Sequence, residues 1–431
     1  MKPSLYAVAA SLYLTEYTLY SNSSSAVLLN SAIAGYFGIP FSQAAYIGVA
    51  FLAGFCLALL PAGLLSHRWR PTAAFFVSSA ALAVLGVAAG LSPEFWVLIA
   101  LRFLQGIASA VLAPQIFRII RAQFYPDHHS AVLGAWGLVV SASALCSPLI
   151  TALLNDLWGW RSFPYETVVT TVAAMVLLAL APGSPGTTGE DTAGDREAIP
   201  LVGLAVVQLA IFLAIGWATA LYVKVALLAV AMLLGIVVIV LRGRSQSRVL
   251  SRSLVVVFVA GIATNVFTLS VVYVLQQVRG LNSYGSALFL LPMAFFAGLI
   301  PMLNLGRPGH NRKSTGLVCV GSAFLIAAGL SLPAQLLLVS AALMGAAMGF
   351  LWSSLASNVL TSSRHIPFDS SLYHYLRALG AAIGVAAGAT MIDGLGAALF
   401  GGAAVLVTAA GLIAILAARS AWHATQLVPV R

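Results

Sequence analysis

The chain has 431 residues, of which 61% are hydrophobic and only 7% are charged. Soluble domains carry about 25% charged residues, so this composition cannot supply a water-facing surface and indicates a polytopic membrane protein. It excludes most soluble enzymes and any nucleic-acid reader whose basic patch faces water. The net charge of +10 is instead expected from Lys and Arg held on the cytoplasmic side of a membrane.

Apolar runs follow one another along the chain, most of them close to the roughly 20 residues that cross a bilayer as a helix. They lie at about 4–32, 42–64, 72–92, 95–120, 131–154, 166–182, 200–220, 222–241, 253–278, 284–304, 315–331, 334–360, 370–392 and 396–418. A membrane barrel would instead show segments of about ten alternating residues. We therefore predict an all-α polytopic membrane protein with fourteen transmembrane helices.

One clearly hydrophilic stretch interrupts the runs. Residues 183–199 are rich in Gly, Thr and acid and are predicted to form a cytoplasmic linker. The predicted organisation is a six-helix half at 1–182, this linker, two peripheral helices at 200–241, a basic cytoplasmic loop at 242–252, and a second six-helix half with a short cytoplasmic tail at 253–431. Two such halves suggest pseudo-symmetric repeats with a substrate site between them at mid-bilayer.

The basic residues indicate the orientation. With a cytoplasmic N-terminus and fourteen spans, most of the 21 Lys and Arg residues fall in cytoplasmic segments, in agreement with the positive-inside rule. A single crossing at 200–241 would place the basic loops of the second half outside. The pattern therefore favours two crossings there, both termini in the cytoplasm, and an inner (plasma) membrane location.

Charged residues inside a bilayer cost about 2.5–3.5 kcal/mol each and are usually functional or paired. Three stand out inside the predicted spans: Glu16, Arg102 and Arg377. Glu16 is the only acid placed deep in a predicted span, with Tyr13 and Tyr20 on the same helical face. It is interpreted either as a proton carrier or as half of a permanent bridge to Arg102 that joins the first and fourth helices.

The two arginines also have neighbours on their own helical faces. Arg102 has Gln105 three residues later, and one interpretation is an arginine that hydrogen-bonds carbonyl oxygens at a helix break. Arg377 has His374 three residues before it, and His374 either titrates near neutrality or hydrogen-bonds a neighbour. The three deep charges sum to +1, which favours an anionic or zwitterionic substrate such as a carboxylate metabolite or siderophore.

Polar and aromatic side chains in the spans suggest a wet cavity between the halves, although each is equally well explained as a hydrogen bond between helices. No phosphate-binding loop, dinucleotide fingerprint or metal-ligand cluster is found in the sequence. Enzyme activity, a cofactor and a metal are therefore not expected. The predicted cavity residues are Tyr20, Asn22, Gln105, Trp136, Asn265, Tyr273, Gln276, Asn358, His374 and Arg377.

Four segments resemble one known family. Leu98–Gly106 is similar to the fourth-helix motif of the major facilitator superfamily, with its Arg and Gln-Gly pair, and Trp158–Arg161 to the signature before its sixth helix. Tyr273–Gly280 and Tyr375–Gly380 resemble helices of the fourteen-helix drug:proton antiporter branch. The order and spacing of the four segments agree with that branch, of which the chain is identified as a divergent member.

The resemblance implies a fold of two pseudo-symmetric halves, a role for Arg102 in proton movement, and conformational roles for five further positions. In the loop after the second helix, His67 stands where the family has an acid that locks the outward-open state. A histidine cannot supply that permanent negative charge. The positions that match the family's conformational motifs are Gly63, His67, Arg68, Gly106 and Pro148.

The predicted function is export of a small organic molecule by proton antiport, with Glu16 taking up the proton and Arg102 tuning it. The expected partners are the substrate, protons and the lipid bilayer, with no nucleic acid, and the chain is expected to be a monomer. Two alternatives stay open: a proton-coupled importer on the same fold, and a membrane sensor or assembly partner that does not transport.

Overall fold

The structure, a computed structural model, describes residues 3–65, 69–124, 126–181, 203, 207, 210–211, 214–215, 221–243, 248–303, 337–349 and 366–395. Every regular element within these ranges is helical, which confirms the predicted all-α class for this part of the chain. The helices are α1 (Pro3–Ser24), α2 (Asn30–Phe37), α3 (Phe41–Ala44), α4 (Tyr46–Leu65), α5 (Pro71–Gly90), α6 (Phe95–Gln123), α7 (Pro126–Trp158), α8 (Ser162–Ala179), α9 (Leu221–Gly243), α10 (Arg248–Tyr273), α11 (Ser283–Leu303), α12 (Leu337–Gly349) and α13 (Ile366–Leu395).

Eight helical segments among the described residues are long and apolar enough to cross a membrane. The predicted runs 315–331 and 396–418 lie outside the described residues, as do parts of 200–220 and 334–360. The fourteen-helix count therefore stays a prediction. The eight segments are Phe41–Gly63, Pro71–Gly90, Phe95–Ile120, Ser162–Ala179, Tyr222–Ile239, Ser253–Val278, Ser283–Ile300 and Leu372–Asp393.

The first helix ends earlier than its apolar run predicts. α1 stops at Ser24, and a 3-10 turn at Ser25–Leu29 leads into α2. Serine hydroxyls compete with the helix for backbone carbonyls, and the Ser23 hydroxyl donates to the Tyr20 carbonyl at 3.0 Å. The expectation of one uninterrupted helix over 4–32 is wrong for this reason.

The sixth helix of the first half begins earlier than predicted. Gly159, at φ 78°, turns the chain after α7 in the left-handed region that favours glycine. The Ser162 hydroxyl then donates to the Gly159 carbonyl at 2.7 Å, and α8 begins at Ser162 rather than near 166. Glu166 consequently lies one helical turn inside a candidate membrane-spanning segment rather than at its first residue, and it is a second acid within a span besides Glu16.

The chain divides into two compact units. Unit 1 consists of Met1–Pro40, Ile47–Leu209 and Asn282–Tyr284, and unit 2 of Phe41–Tyr46, Ala210–Leu281 and Gly285–Arg431. In unit 1, α1 packs against α7 and α8, while α5 packs against α6 and α8. Fully buried apolar side chains of these helices include Val8, Leu12, Phe75, Leu82, Ile116 and Ile119.

In unit 2, α10 packs closely against α13 because glycines remove the side chains between them. A Cβ added at Gly261 would lie 2.7 Å from the Arg377 carbonyl oxygen, and one at Gly384 would lie 2.6 Å from the Ile262 carbonyl oxygen. Small residues allow this close approach of helix backbones in membranes. α9 packs against both helices, as a member of the predicted extra pair.

An ion pair adds to the attachment of α9 within unit 2. Lys224 Nζ lies 2.6 Å from Asp393 Oδ2 at the end of α13, and the Ser42 hydroxyl donates to the same carboxylate. The Lys224→Ala variant should lose about 0.5 kcal/mol of stability, since the Asp393 side chain is 34% exposed and exposed pairs contribute little. A double-mutant cycle with Asp393→Asn, read from melting temperatures in detergent, measures this coupling. A coupling of zero would show that packing alone holds α9.

Candidate functional site

The first part of the site is a buried arginine in α6. Arg102 is 2% exposed, and its Nη1 donates to Asn22 Oδ1 and Gln105 Oε1, both at 2.8 Å. Its Nη2 donates to the Asn22 backbone carbonyl at 2.7 Å, which can accept because the regular bonds of α1 stop close by, at Ser24. Among the described residues, no hydrogen bond or ion pair joins Arg102 to Glu16. The arrangement is the predicted alternative of an arginine bonded to a carbonyl at a helix break.

Two phenylalanine rings close the Arg102 site. The guanidinium carbon lies 4.7 Å from the centroid of the Phe51 ring in α4 and 5.2 Å from that of the Phe163 ring in α8. Aromatic faces attract a guanidinium, so the charge is stabilised without a carboxylate. The result is a sealed cation that joins α1, α4, α6 and α8 and is not available to a substrate in this conformation.

The second part of the site is a carboxylate in α8 that the sequence prediction omitted. Glu166 Oε1 accepts hydrogen bonds from the Tyr17 hydroxyl at 2.7 Å and the Ser21 hydroxyl at 3.2 Å. Its Oε2 accepts one from the Thr151 hydroxyl at 3.0 Å. The donors come from α1 and α7, and no cation is among the described contacts of Glu166. The carboxylate therefore joins three helices through hydroxyl groups alone.

A line of hydrogen bonds along α1 and α8 connects the two parts. Asn22, which binds Arg102, also donates from Nδ2 to the Thr167 hydroxyl at 2.9 Å, and Thr167 is the residue next to Glu166. One turn away, the Thr18 hydroxyl donates to the Thr170 hydroxyl at 2.9 Å. Arg102 of α6 is thus linked to α8 through Asn22 of α1 and Thr167, the residue next to Glu166.

The α7 side of the site is also polar. The Ser25 hydroxyl donates to the Ser147 hydroxyl at 3.2 Å, next to Pro148 inside α7. The Ser21 and Thr151 hydroxyls lie 3.4 Å apart. Pro148, predicted from the family motif, therefore lies one helical turn before the threonine that binds Glu166. A proline inside a helix removes one backbone hydrogen bond and permits a bend there.

The predicted residues of unit 1 are only partly brought together. Asn22, Arg102 and Gln105 form one buried cluster. Glu16 and Tyr20 lie half-buried on α1 and are not hydrogen-bond partners of Arg102.

The predicted motif positions have separate locations. Gly106 lies in α6 against the backbone of α4, and Gly63 lies near the end of α4. Trp136 lies in α7, where its side chain is not described. Three predicted residues fall outside the described part of the chain: His67, Arg68 and Asn358.

The predicted residues of unit 2 lie on α10 and α13. Asn265 donates to a carbonyl of its own helix at 3.0 Å, and Tyr273 has a ring contact with α3. Gln276 is buried in a π-helical turn that follows α10, a feature frequent at functional sites. His374 is half-buried and Arg377 exposed.

The sequence carried a signal for Glu166 that the run-based prediction did not use. Thr167, Thr170 and Thr171 follow it at spacings that return to one helical face, so a polar stripe begins at Glu166 rather than ending before it. The apolar run begins only at 166, so hydrophobicity alone places this acid at a helix boundary rather than in the site.

Comparisons with known proteins point to the same family as the sequence motifs. The model of the Major Facilitator Superfamily matches residues 9–385. The tetracenomycin C resistance and export protein of Streptomyces glaucescens is 29% identical over 40% of this chain and 32% of that protein. The multidrug export protein EmrB of Escherichia coli (strain K12) is 28% identical over 42% of this chain and 34% of that protein. The matched part of the chain spans about a third of the length of these relatives.

A solved structure shows that the fold of this chain is also shared by a known transporter. The peptide transporter POT in complex with sulfate has a TM-score of 0.70 to this chain, at 16% identity, over 97% of this chain and 94% of that one. At this identity the likeness concerns the fold alone. The family model, by contrast, covers α1 to most of α13, including both parts of the site. The chain therefore belongs to the Major Facilitator Superfamily.

Proposed function

We propose that the chain is a secondary transporter that exports a small organic molecule by alternating access and is driven by the entry of protons. Family membership supports alternating access, because two helical repeats that rock around a central site are a general solution in secondary transport. The export direction is supported by relatives whose names describe resistance and export.

The observation that carries proton coupling is the carboxylate of Glu166. It lies in a membrane-spanning segment and contacts hydroxyl groups. Such an acid can gain and lose a proton without breaking an ion pair. Glu16 on α1, predicted from the sequence, stays a second candidate, and Arg102 supplies the buried positive charge of the same unit.

The charges within the spans do not favour an anionic substrate once Glu166 is included. Arg102, Arg377 and Glu16 sum to +1, and Glu166 brings the sum to zero. Arg102 is also sealed between two phenylalanine rings, so its charge does not face a substrate. We therefore propose a small organic molecule without assigning its charge. We also propose that the chain lies in the inner (plasma) membrane, has both termini in the cytoplasm and is a monomer.

Reconstitution of the full chain into proteoliposomes tests this function. The test compounds are tetracenomycin C, from the name of one relative, and the dication methyl viologen, to which the similar protein SmvA of Salmonella typhimurium (26% identical over 60% of this chain) confers resistance. With pyranine trapped inside and a pH gradient imposed, adding either compound should accelerate proton movement in one direction and compound movement in the other. The matched control is empty liposomes with the same gradient. Compound-independent proton leak, with no flux of either compound, would contradict proton-driven export.

The same experiment separates the two alternatives. An importer on this fold would move the compound and the proton in the same direction. A sensor or assembly partner would move neither. The structural likeness to a peptide transporter supports the fold without favouring import, because identity is only 16%.

A further inference from the structure

We infer that Glu166 is the carboxyl group that takes up and releases the coupling proton, and that its charge sets how tightly α1, α7 and α8 are held together. This inference rests on the proposed proton-driven transport and names the residue that carries it. It differs from the sequence prediction, which gave the proton to Glu16.

The contacts of Glu166 suit both of its protonation states. The ionised carboxylate accepts three hydroxyl hydrogen bonds, from Tyr17, Ser21 and Thr151. A hydroxyl is both donor and acceptor, so after protonation the new O–H of Glu166 can donate to a rotated Ser21 or Thr151 hydroxyl. The hydroxyl that then accepts from Glu166 can turn its own O–H to the other hydroxyl, because the Ser21 and Thr151 oxygens lie 3.4 Å apart.

An acid paired with arginine would behave differently, since the fixed positive charge would keep it ionised. Arg102 does not act on Glu166 in that way. Its guanidinium donates to Asn22 and Gln105 and reaches α8 only through the Asn22–Thr167 hydrogen bond. Glu166 is therefore free to change its charge while Arg102 keeps its own partners.

Among the described residues, one ionisable group is hydrogen-bonded to Glu166 and others lie on the helices that pack against α8. From α1, Tyr17 contacts it directly, and on α7, Cys146 is an exposed free cysteine. The α7 carboxylate Asp156 is bonded instead to Asn282. α5 has no ionisable side chain. α1 also carries Tyr6, Tyr13, Glu16 and Tyr20, and Arg161 and Tyr165 lie at the start of α8.

Protonation of Glu166 has a mechanical consequence. Hydrogen bonds to an ionised acceptor are roughly twice as strong as neutral ones, so the charged carboxylate holds α1 and α7 firmly against α8. Neutralising it weakens the hydrogen bonds that it still accepts and reverses the one with Ser21 or Thr151 to which its new O–H donates. A proton entering at Glu166 therefore loosens the helix that ends beside Arg102, which links proton binding to the arrangement of α1.

Infrared titration of the purified full chain tests proton binding without any transport. Besides the carbonyl-stretch absorption of the Asp and Glu residues that all variants share, the wild type should show one additional carboxyl band that grows as the pH falls. The Glu166→Gln variant should lose that band and the Glu16→Gln variant should keep it. Thr151→Val, which removes one hydroxyl but leaves the acid, should shift the midpoint of the band. A band that survives in Glu166→Gln would overturn the inference, whatever the transport result.

Transport in proteoliposomes supplies the second readout. Glu166→Gln should reduce pH-driven movement of tetracenomycin C or methyl viologen at least tenfold, while exchange of labelled for unlabelled compound at equal pH continues. Wild-type rates in Glu166→Gln would refute the role of Glu166. A wild type that transports neither compound would refute the proposed function, and the infrared band would still decide whether Glu166 binds the proton.

Discussion

The Gly106→Ala variant should lose about 3 kcal/mol of stability and give little folded protein. Gly106 lies where α6 crosses α4, and an added Cβ would collide with the Phe51 carbonyl and lie 2.8 Å from the Phe55 amide nitrogen. Both neighbours are backbone atoms, so no side-chain rotation relieves the contact. The helices would have to separate, which would also move Phe51 away from Arg102. Thermal melting of the detergent-purified protein, followed by size-exclusion chromatography, measures the loss.

Two glycines of α4 provide variants to compare with Gly106→Ala. Gly48→Ala is the matched control, because no atom lies within 4 Å of the added Cβ and alanine favours a helix by about 1 kcal/mol over glycine. Gly54→Ala should be as damaging as Gly106→Ala, since its Cβ would collide with the Phe103 carbonyl. Equal melting temperatures for all three variants would contradict the close crossing of α4 and α6.

The apolar runs predicted several helices within a few residues. The runs 72–92 and 95–120 correspond to α5 and α6 because proline and acid residues punctuate the sequence there: Pro71 is the first residue of α5, and Glu94 is in an extended conformation just before α6. Hydrophobicity alone failed where polar residues stay inside a helix. Residues 162–165 belong to α8, but they do not form a continuous apolar run and were therefore not predicted as part of the helix.

Side-chain partners were predictable only within one helix. The i, i+3 spacing of Arg102 and Gln105 predicted a shared face, and the two side chains are hydrogen-bonded. Asn22 lies 80 residues from Arg102, and no local pattern joins them. The same holds for Glu166 and Tyr17, which are 149 residues apart. Sequence periodicity predicts which residues share a face of one helix. Hydrogen bonds between residues of different helices depend instead on how the helices of unit 1 pack.

Replacing Arg102 with methionine should lower stability by about 2–3 kcal/mol, because the loss of three hydrogen bonds is partly offset by the desolvation cost of the buried charge, which the variant no longer bears. The substitution leaves the Asn22 amide oxygen, the Asn22 carbonyl and Gln105 Oε1 without their donor, and hydrogen bonds to charged groups contribute about 1.5–3 kcal/mol each. Arg102→Lys keeps the charge but cannot span two acceptors on α1 with a planar fork. It should therefore recover only part of the stability in the same melting assay.

A double variant separates the structural role of Arg102 from the role in proton movement that the family resemblance implies. Replacing both partners of a buried polar pair by apolar groups is often nearly neutral, whereas removing one is costly. Arg102→Met with Asn22→Leu should therefore melt closer to the wild type than Arg102→Met alone. If the double variant folds but has lost pH-driven transport, while Asn22→Leu alone keeps it, the charge itself is needed; if transport returns with stability, Arg102 acts by holding α1. We expect the first result, because Arg102 and Glu166 are linked through Asn22 and Thr167 and removing the cation changes the field in which the carboxylate exchanges its proton.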